Sequence, residues 1–220
     1  MSAEKLFMRL GVKDVEHASV TLARAFQEDP LMAFLIPDAL KRARTLPWFL
    51  STTVRYCLAY GEVHATPVLD AVACWLTPEN TSVSPVRVFR TGGATTPLKL
   101  GMAGFRRLLA WQDYVGKEHA KHAPGPHLYL YVLGVDPLSR GRGLGRALLE
   151  PTLERADTER LPCYLETQTK NNVRLYESLG FRVMSAGKTP GYDLTTWALR
   201  REPQRTPNHL NAQEPLSKGA

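Results

Sequence analysis

The segment Arg140-Gly141-Arg142-Gly143-Leu144-Gly145-Arg146 carries three glycines at alternate positions among three arginines. Residues of these types at this spacing suit the holding of a phosphate or pyrophosphate. Glycine lets the backbone approach a ligand with no Cβ in the way. A turn that opens a helix presents several backbone N–H groups at the positive end of the helix dipole. The arginines add charge of the right sign. Glycine-rich turns are common, so the glycines alone decide little; the arginines and the flanking pattern favour the phosphate reading. Two phosphate motifs do not fit. A P-loop closes on Gly-Lys-Ser/Thr, whereas Gly145 is followed by Arg146. The dinucleotide fingerprint places its third glycine three positions after its second, which Gly141-x-Gly143-x-Gly145 does not.

Such a loop needs a strand before it and a helix after it. Leu128 to Val135 is an apolar, β-prone run, and a helical pattern starts at Leu144, with Leu148 and Pro151 on about one face. Pro151 should kink or shorten that helix. Upstream, Leu6 to Val12 reads as a strand, and Asp14 as the N-cap of a helix to Gln27 with the stripe Val15, Ala18, Leu22, Phe26. Asp29-Pro30 breaks it, and Leu31 to Ile36 is a short apolar segment. Asp38 to Tyr60 fits a long helix interrupted near Pro47, and Glu62–Thr66 with Asp70–Leu76 fits a hairpin. Val86 to Gly93 fits neither period, and Thr96 to about Ala120 is helical. Downstream come a strand at Cys163–Thr167, a short helix at Asn171–Leu179, and strands at Arg182–Ser185 and Asp193–Arg200. Glu202 to Ala220 is proline-rich and aperiodic, so a disordered tail is expected after one domain over residues 1–201.

At 220 residues with 44% hydrophobic content the chain can bury a substantial core. Its net charge of +7 is compatible with nucleic acid, an anionic membrane or an anionic cofactor. The basic residues are spread rather than clustered, which disfavours nucleic acid. Cys57, Cys74 and Cys163 lie in apolar contexts without metal spacing, as reduced core cysteines of a cytoplasmic protein do. His119 and His122 are three apart, but with no third ligand evident a solvated helix face is expected and no metal. No apolar run is long enough to span a membrane, and the first residues lack a signal-peptide core.

Val135-x-Pro137 followed by Arg140-x-x-Gly143-x-Gly145 resembles the Gln/Arg-x-x-Gly-x-Gly/Ala motif of the GNAT superfamily of N-acetyltransferases. Leu161-Pro162-Cys163-Tyr164-Leu165-Glu166-Thr167 and Asn172-Val173-x-x-Tyr176-Glu177-x-Leu179-Gly180-Phe181 extend the likeness, most closely to the puromycin N-acetyltransferase-like branch. The resemblance implies a mixed, mostly antiparallel central sheet of six to seven strands flanked by helices. It implies acetyl-CoA as co-substrate, with the loop Arg140, Gly141, Arg142, Gly143, Leu144, Gly145 and Arg146 on the pyrophosphate and the strand end Leu133, Gly134, Val135 beside the pantetheine arm.

It also implies roles in catalysis. Acetyl transfer needs a neutral amine, a polarised thioester carbonyl and a proton for the leaving thiolate. Tyr176 stands where these enzymes place a tyrosine near the coenzyme sulfur, and is the expected acid. Asn172 is expected to bond the pantetheine or to cap the short helix, although the family's asparagine usually falls at the position of Thr169. Glu166, at a strand end, is the expected base; a salt-bridge or backbone contact is the bland alternative. Many relatives place a glutamate base on the central strand, where this chain has Tyr129. His127 on the same face is a substitute, or else a histidine near solvent. The expected activity is transfer to a primary amine of a small molecule by direct attack, in a monomer or homodimer. The rivals are a non-catalytic acyl-CoA sensor and a nucleic-acid-binding protein.

Overall fold

The computed structural model describes residues 7–204. The expected tail lies outside them from residue 205 on, as does Leu6 of the expected first strand. The elements are β1 (Met8–Arg9), α1 (Val15–Ala25), α2 (Pro30–Leu35), α3 (Ala39–Tyr60), β2 (Gly61–Ala65), β3 (Ala71–Leu76), α4 (Pro85–Arg90), α5 (Thr96–His122), β4 (Leu128–Val135), α6 (Leu144–Thr158), β5 (Cys163–Thr167), α7 (Lys170–Glu177), β6 (Arg182–Lys188) and β7 (Thr195–Arg201). Seven strands form one sheet in the order β1-β2-β3-β4-β5-β7-β6. Every pairing is antiparallel except β4–β5. The fold is thus the mixed, mostly antiparallel sheet flanked by helices that the family resemblance implies.

Side chains alternate across a strand, so one sheet feeds two cores. On one face Val63, Val72, Cys74 and Tyr129 pack with Leu22, Leu46, Leu50 and Val54 of α1 and α3. On the other, Ala73, Trp75, Leu128 and Leu130 pack with Leu148, Leu149 and Leu153 of α6 and with Val173 and Tyr176 of α7. β3, between the layers, is buried at every residue.

The sheet is split at its middle. β4 and β5 share two register pairs, Leu128↔Cys163 and Tyr129↔Tyr164. Beyond them β4 continues along β3 to Val135 and β5 along β7 to Thr167. A bulge bends β4 at the same place. The register against β3 jumps from Cys74↔Val132 to Trp75↔Leu130, which leaves Tyr131 as the extra residue. Tyr129, Tyr131 and Val132 therefore face the α1–α3 core, while Leu130, Leu133 and Val135 face α6.

Several elements differ from the sequence expectation. α3 and α6 run without interruption through Pro47 and Pro151. An interior proline costs about 3 kcal/mol. Burial of Leu46, Leu50, Val54 and Cys57 along α3, and of Leu148, Leu149 and Leu153 along α6, offsets it. The unassigned stretch after residue 85 is helix α4, with Pro85 in its first turn, the one helical turn where proline fits. α5 breaks at Gly101, where φ is 75° and ψ 163°, and extends to His122. β1 is only two residues long, and β6 runs on to Lys188. Past β7 the Gln204 N–H donates to Asp157 Oδ1 at 2.7 Å, so the chain stays attached to α6 beyond Arg201.

Cross-ties fix α6, whose first turn the glycine loop enters. Arg201 grips Asp157 with two bonds, at 2.6 and 2.7 Å, and Arg155 does the same to buried Glu62 of β2. Burial alone would raise the Glu62 carboxyl; His64 and Arg155 overcome it and hold the group down to about 2.

At Gly134, α1 lies directly on β4. A Cβ there would stand 2.6 Å from Leu22 Cδ2 and 3.1 Å from Ala25 Cβ. Gly134→Ala should therefore cost about 1–3 kcal/mol as α1 lifts, a fall in Tm of about 2–12 °C. An unchanged melting curve by circular dichroism would show that α1 yields freely.

Candidate active site

β4 is followed by Asp136, whose Oδ2 accepts from Arg24 Nε at 2.6 Å and whose Oδ1 accepts from Leu138 N–H at 3.0 Å. This fixes the entry to the glycine loop. Gly141 and Gly143 have φ of 76° and 75°, and Gly143 is the left-handed N-cap of α6. No atom would lie within 4 Å of a Cβ at Gly143, so its backbone faces open space. The first amides of α6 have no acceptor within the helix. Loop and helix start thus form an open cradle of N–H groups suited to an anion.

The arginines do not line this cradle as the sequence suggests. Arg140 Nη2 donates to Ala25 O at 2.8 Å, at the end of α1. Arg146 Nη2 donates to Ser178 Oγ and O at 2.6 and 3.1 Å. Arg142 lies 3.7 Å from Asp70. They contribute field and loop anchorage, and the amides supply the direct donors. Leu133 lines the cleft, whereas Gly134 is turned beneath α1 and Val135 packs towards Gly145. Only the backbone of these last two could meet a ligand.

The split between β4 and β5 places two cavities against one carboxylate. A narrow one, about 110 Å³, runs among Asp29, Leu133, Gln168, Asn172 and Tyr176. A wide one, about 960 Å³, lies under α3, α4 and α5. Both reach Tyr129, Tyr131, Trp111 and Glu166. Glu166 is half-buried there and forms no salt bridge among the described residues. Tyr129 Oη donates to its Oε2 at 2.6 Å, while Oε1 is buried without a partner among the described residues. Burial pushes the carboxyl up to about 7, against the lowering pull of Tyr129 and Tyr164. Both phenols are themselves raised, first by burial and then by Glu166, and so remain protonated. A carboxylate that titrates near neutrality is poised for general base work.

Tyr176 is buried, its ring edge-on to Phe181 at 5.8 Å, and it lines the narrow cavity. Burial, then the charge of Asp29, raises its pKa, so the phenol keeps its proton. Asp29 itself caps α2, accepting from Leu31 and Met32 N–H. Asn172 lines the same cavity, and its Nδ2 donates to Thr167 Oγ1 at 3.1 Å. It does not cap α7; Thr169 does, accepting from Asn172 N–H. Cys163 is buried and pushed up to about 12, mainly by burial, which leaves it no nucleophile.

Two histidines depart from expectation. His127 is buried rather than near solvent, and His119 lies on the wide cavity rather than on a solvated helix face. Their Nε2 atoms are 2.7 Å apart, and His127 Nδ1 is 2.7 Å from Gly125 O. His119 also stacks on Tyr164, with centroids 4.5 Å apart. Burial lowers both, and His127 helps bring His119 to about 4, so the rings are neutral. The carbonyl can only accept, so His127 carries its proton on Nδ1 and accepts at Nε2 from His119. His119 Nδ1 is then left as an acceptor. Neither ring bonds Glu166.

Sequence reasoning passed over Tyr129 as a partner of Glu166, and Trp111, Tyr131 and His119 as cavity walls. One signal was present: Tyr164 and Glu166 share a face of their strand, as Tyr129 and His127 share one of theirs. Among the described residues no cluster of three or more His, Cys, Asp or Glu side chains is placed to hold a metal ion. No helix there is long and apolar enough to cross a membrane.

The chain is 26% identical over 216 residues to an uncharacterised N-acetyltransferase of Schizosaccharomyces pombe, covering 94% of this chain and 82% of that one. A shorter stretch of 64 residues is 45% identical to the mycothiol acetyltransferase of Acidothermus cellulolyticus, spanning 28% of this chain and 20% of that protein. In fold it is similar to the crystal structure of "histone acetyltransferase HPA2 and related acetyltransferase" from Corynebacterium glutamicum. The TM-score is 0.63 at 22% identity over 92% of this chain and 98% of that one. The sequence pattern of the acetyltransferase (GNAT) family matches residues 72–181, half of the chain, from β3 through the glycine loop to the end of the Tyr176 segment. With that match and the split sheet behind it, the chain belongs to the GNAT acetyltransferase family.

Proposed function

We propose that this protein transfers the acetyl group of acetyl-CoA to a primary amine of a small molecule, by direct attack within a ternary complex. The observation that carries this reading is Glu166, a carboxylate poised near pH 7 where two cavities meet. A donor reaching it through the narrow cavity and an acceptor through the wide one would be held together, which is the positional demand of a bimolecular transfer. The Schizosaccharomyces relative, named as an N-acetyltransferase, supports nitrogen as the acceptor atom. The likeness of residues 161–181 to the puromycin N-acetyltransferase-like branch supports a small molecule.

Acetyl-CoA supplies the acetyl group activated as a thioester. The loop amides around Gly141–Gly145 and the N-terminus of α6 hold its pyrophosphate, and the open edge of β4 lies beside its pantetheine arm with Asn172 opposite. Glu166 takes the proton of the attacking amine, directly or through one water. Tyr176 gives its hydroxyl proton to the sulfur as the carbon–sulfur bond breaks.

Free thiol release from acetyl-CoA across a panel of amines tests the reaction. Gly143→Asp tests the loop: a carboxylate in the anion cradle replaces charge-assisted contacts worth about 1.5–3 kcal/mol with repulsion. The acetyl-CoA Kd should rise about tenfold or more. Unchanged affinity by calorimetry, in a folded variant, would remove the loop from the site.

A further inference from the structure

Resting on that reading, we infer that the acceptor is a bulky apolar or aromatic body bearing a single amine, and not a polyamine, an amino acid or a peptide. The wide cavity, about 960 Å³, is at the upper end of the size that encloses a drug-sized ligand. Its walls are mainly aromatic and aliphatic, with Phe49, Phe105, Leu108 and Trp111 inside, and the polar groups among them, such as Thr53, Ser82 and Gln112, are uncharged. At its edge Val83, Phe89 and Leu109 line it while 37, 68 and 49% exposed. Apolar surface left in water at a cavity mouth marks a site for an apolar guest.

The charges narrow the class further. Glu166 is the one carboxylate among the lining residues, and no lysine or arginine lines the cavity. One ammonium therefore finds one partner. A second cation, as on a polyamine, would find no carboxylate in the lining, while the charge of Arg87 acts on Tyr56 of the cavity wall. The carboxylate of an amino acid would lie in apolar surroundings without a cation. A peptide backbone repeats amide donors and acceptors along its whole length, more than scattered side chains such as Thr53, Ser82 and Gln112 would pair. Trp111 Nε1–H is buried without a partner among the described residues, so an acceptor atom on the guest near its amine end gains affinity.

The test compares kcat/KM for naphthylmethylamine, spermidine, lysine and a short peptide, with acetyl-CoA binding measured separately by calorimetry. Naphthylmethylamine should exceed each of the others by about a hundredfold or more. Leu109→Glu, at a half-exposed position of the mouth, should narrow its margin over spermidine at unchanged acetyl-CoA affinity; Phe89→Glu is a second variant should the first not fold. Spermidine or the peptide turning over faster than naphthylmethylamine overturns the inferred class and leaves N-acetyl transfer standing. Binding of acetyl-CoA without turnover of any amine overturns the transferase reading, and this inference with it.

Discussion

Glu166→Gln should lower kcat/KM for amine acetylation by about 10²–10⁴-fold, the usual contribution of a positioned general base, and should also make the protein more stable. The wild-type profile should climb with pH through an apparent pKa of about 7, because only the ionised carboxylate takes a proton, and the variant should lose that limb. The stability effect follows from the same burial. Between about pH 4.5 and 7 the unfolded chain has lost the Glu166 proton while the folded one keeps it. The folded state then binds more protons, so stability falls as pH rises through this window and levels off above it. A rise from 4.5 to about 7 corresponds to about 3 kcal/mol once the group is ionised. Glutamine carries no charge and can still accept from Tyr129. Tm should therefore rise by about 6–12 °C at pH 8 and hardly change at pH 4.5. Wild-type turnover with an intact pH limb in Glu166→Gln would show that the base lies elsewhere.

Tyr176→Phe should lower kcat and kcat/KM together by about 10²-fold or more, with the acetyl-CoA Kd little changed. The ring, edge-on to Phe181, stays; only the hydroxyl leaves. Because burial raises this phenol above its ordinary 10, the wild-type rate should not decline on the alkaline side up to about pH 10 through loss of the Tyr176 proton. Single-turnover measurements that isolate the chemical step would decide it. A folded variant with unchanged single-turnover rate assigns Tyr176 to packing alone.

The glycine loop and its two flanking elements were legible because the signals are local: a β-prone run, then alternate glycines, then a helical period. The site around Glu166 was not. Its partner Tyr129 lies 37 residues away, and the approach depends on a bulge that local alternation does not encode. A strict period of two places Tyr129, Tyr131 and Leu133 on one face; the extra residue sends Leu133 to the other. The His119–His127 pair joins a helix end to a strand start, and only the tertiary fold makes it buried. Pro47 and Pro151 failed as breakers because packing outweighed their local cost. The arginines of the loop misled in the opposite sense: their charge was read correctly, but tertiary acceptors at Ala25 and Ser178 take up two of them.

The split sheet has a consequence for how the molecule comes apart. Two register pairs are the whole backbone ladder between the β1–β4 half and the β5–β7 half. Cooperativity across that seam is carried by side chains instead. α5 acts as a strap: it is rooted by Leu100 and Leu108 in the α1–α3 core and tied across by the Ser185 hydroxyl on Glu118 and by Arg200 on His122 O at 2.8 Å. Strands on the two sides of such a seam should open with different hydrogen-exchange free energies, read by native-state amide exchange; one common value for β4 and β5 would show that the two cores, which both span the seam, couple the halves fully. A ligand lying in the seam and touching both sides would then act as a splint, drawing the two values together.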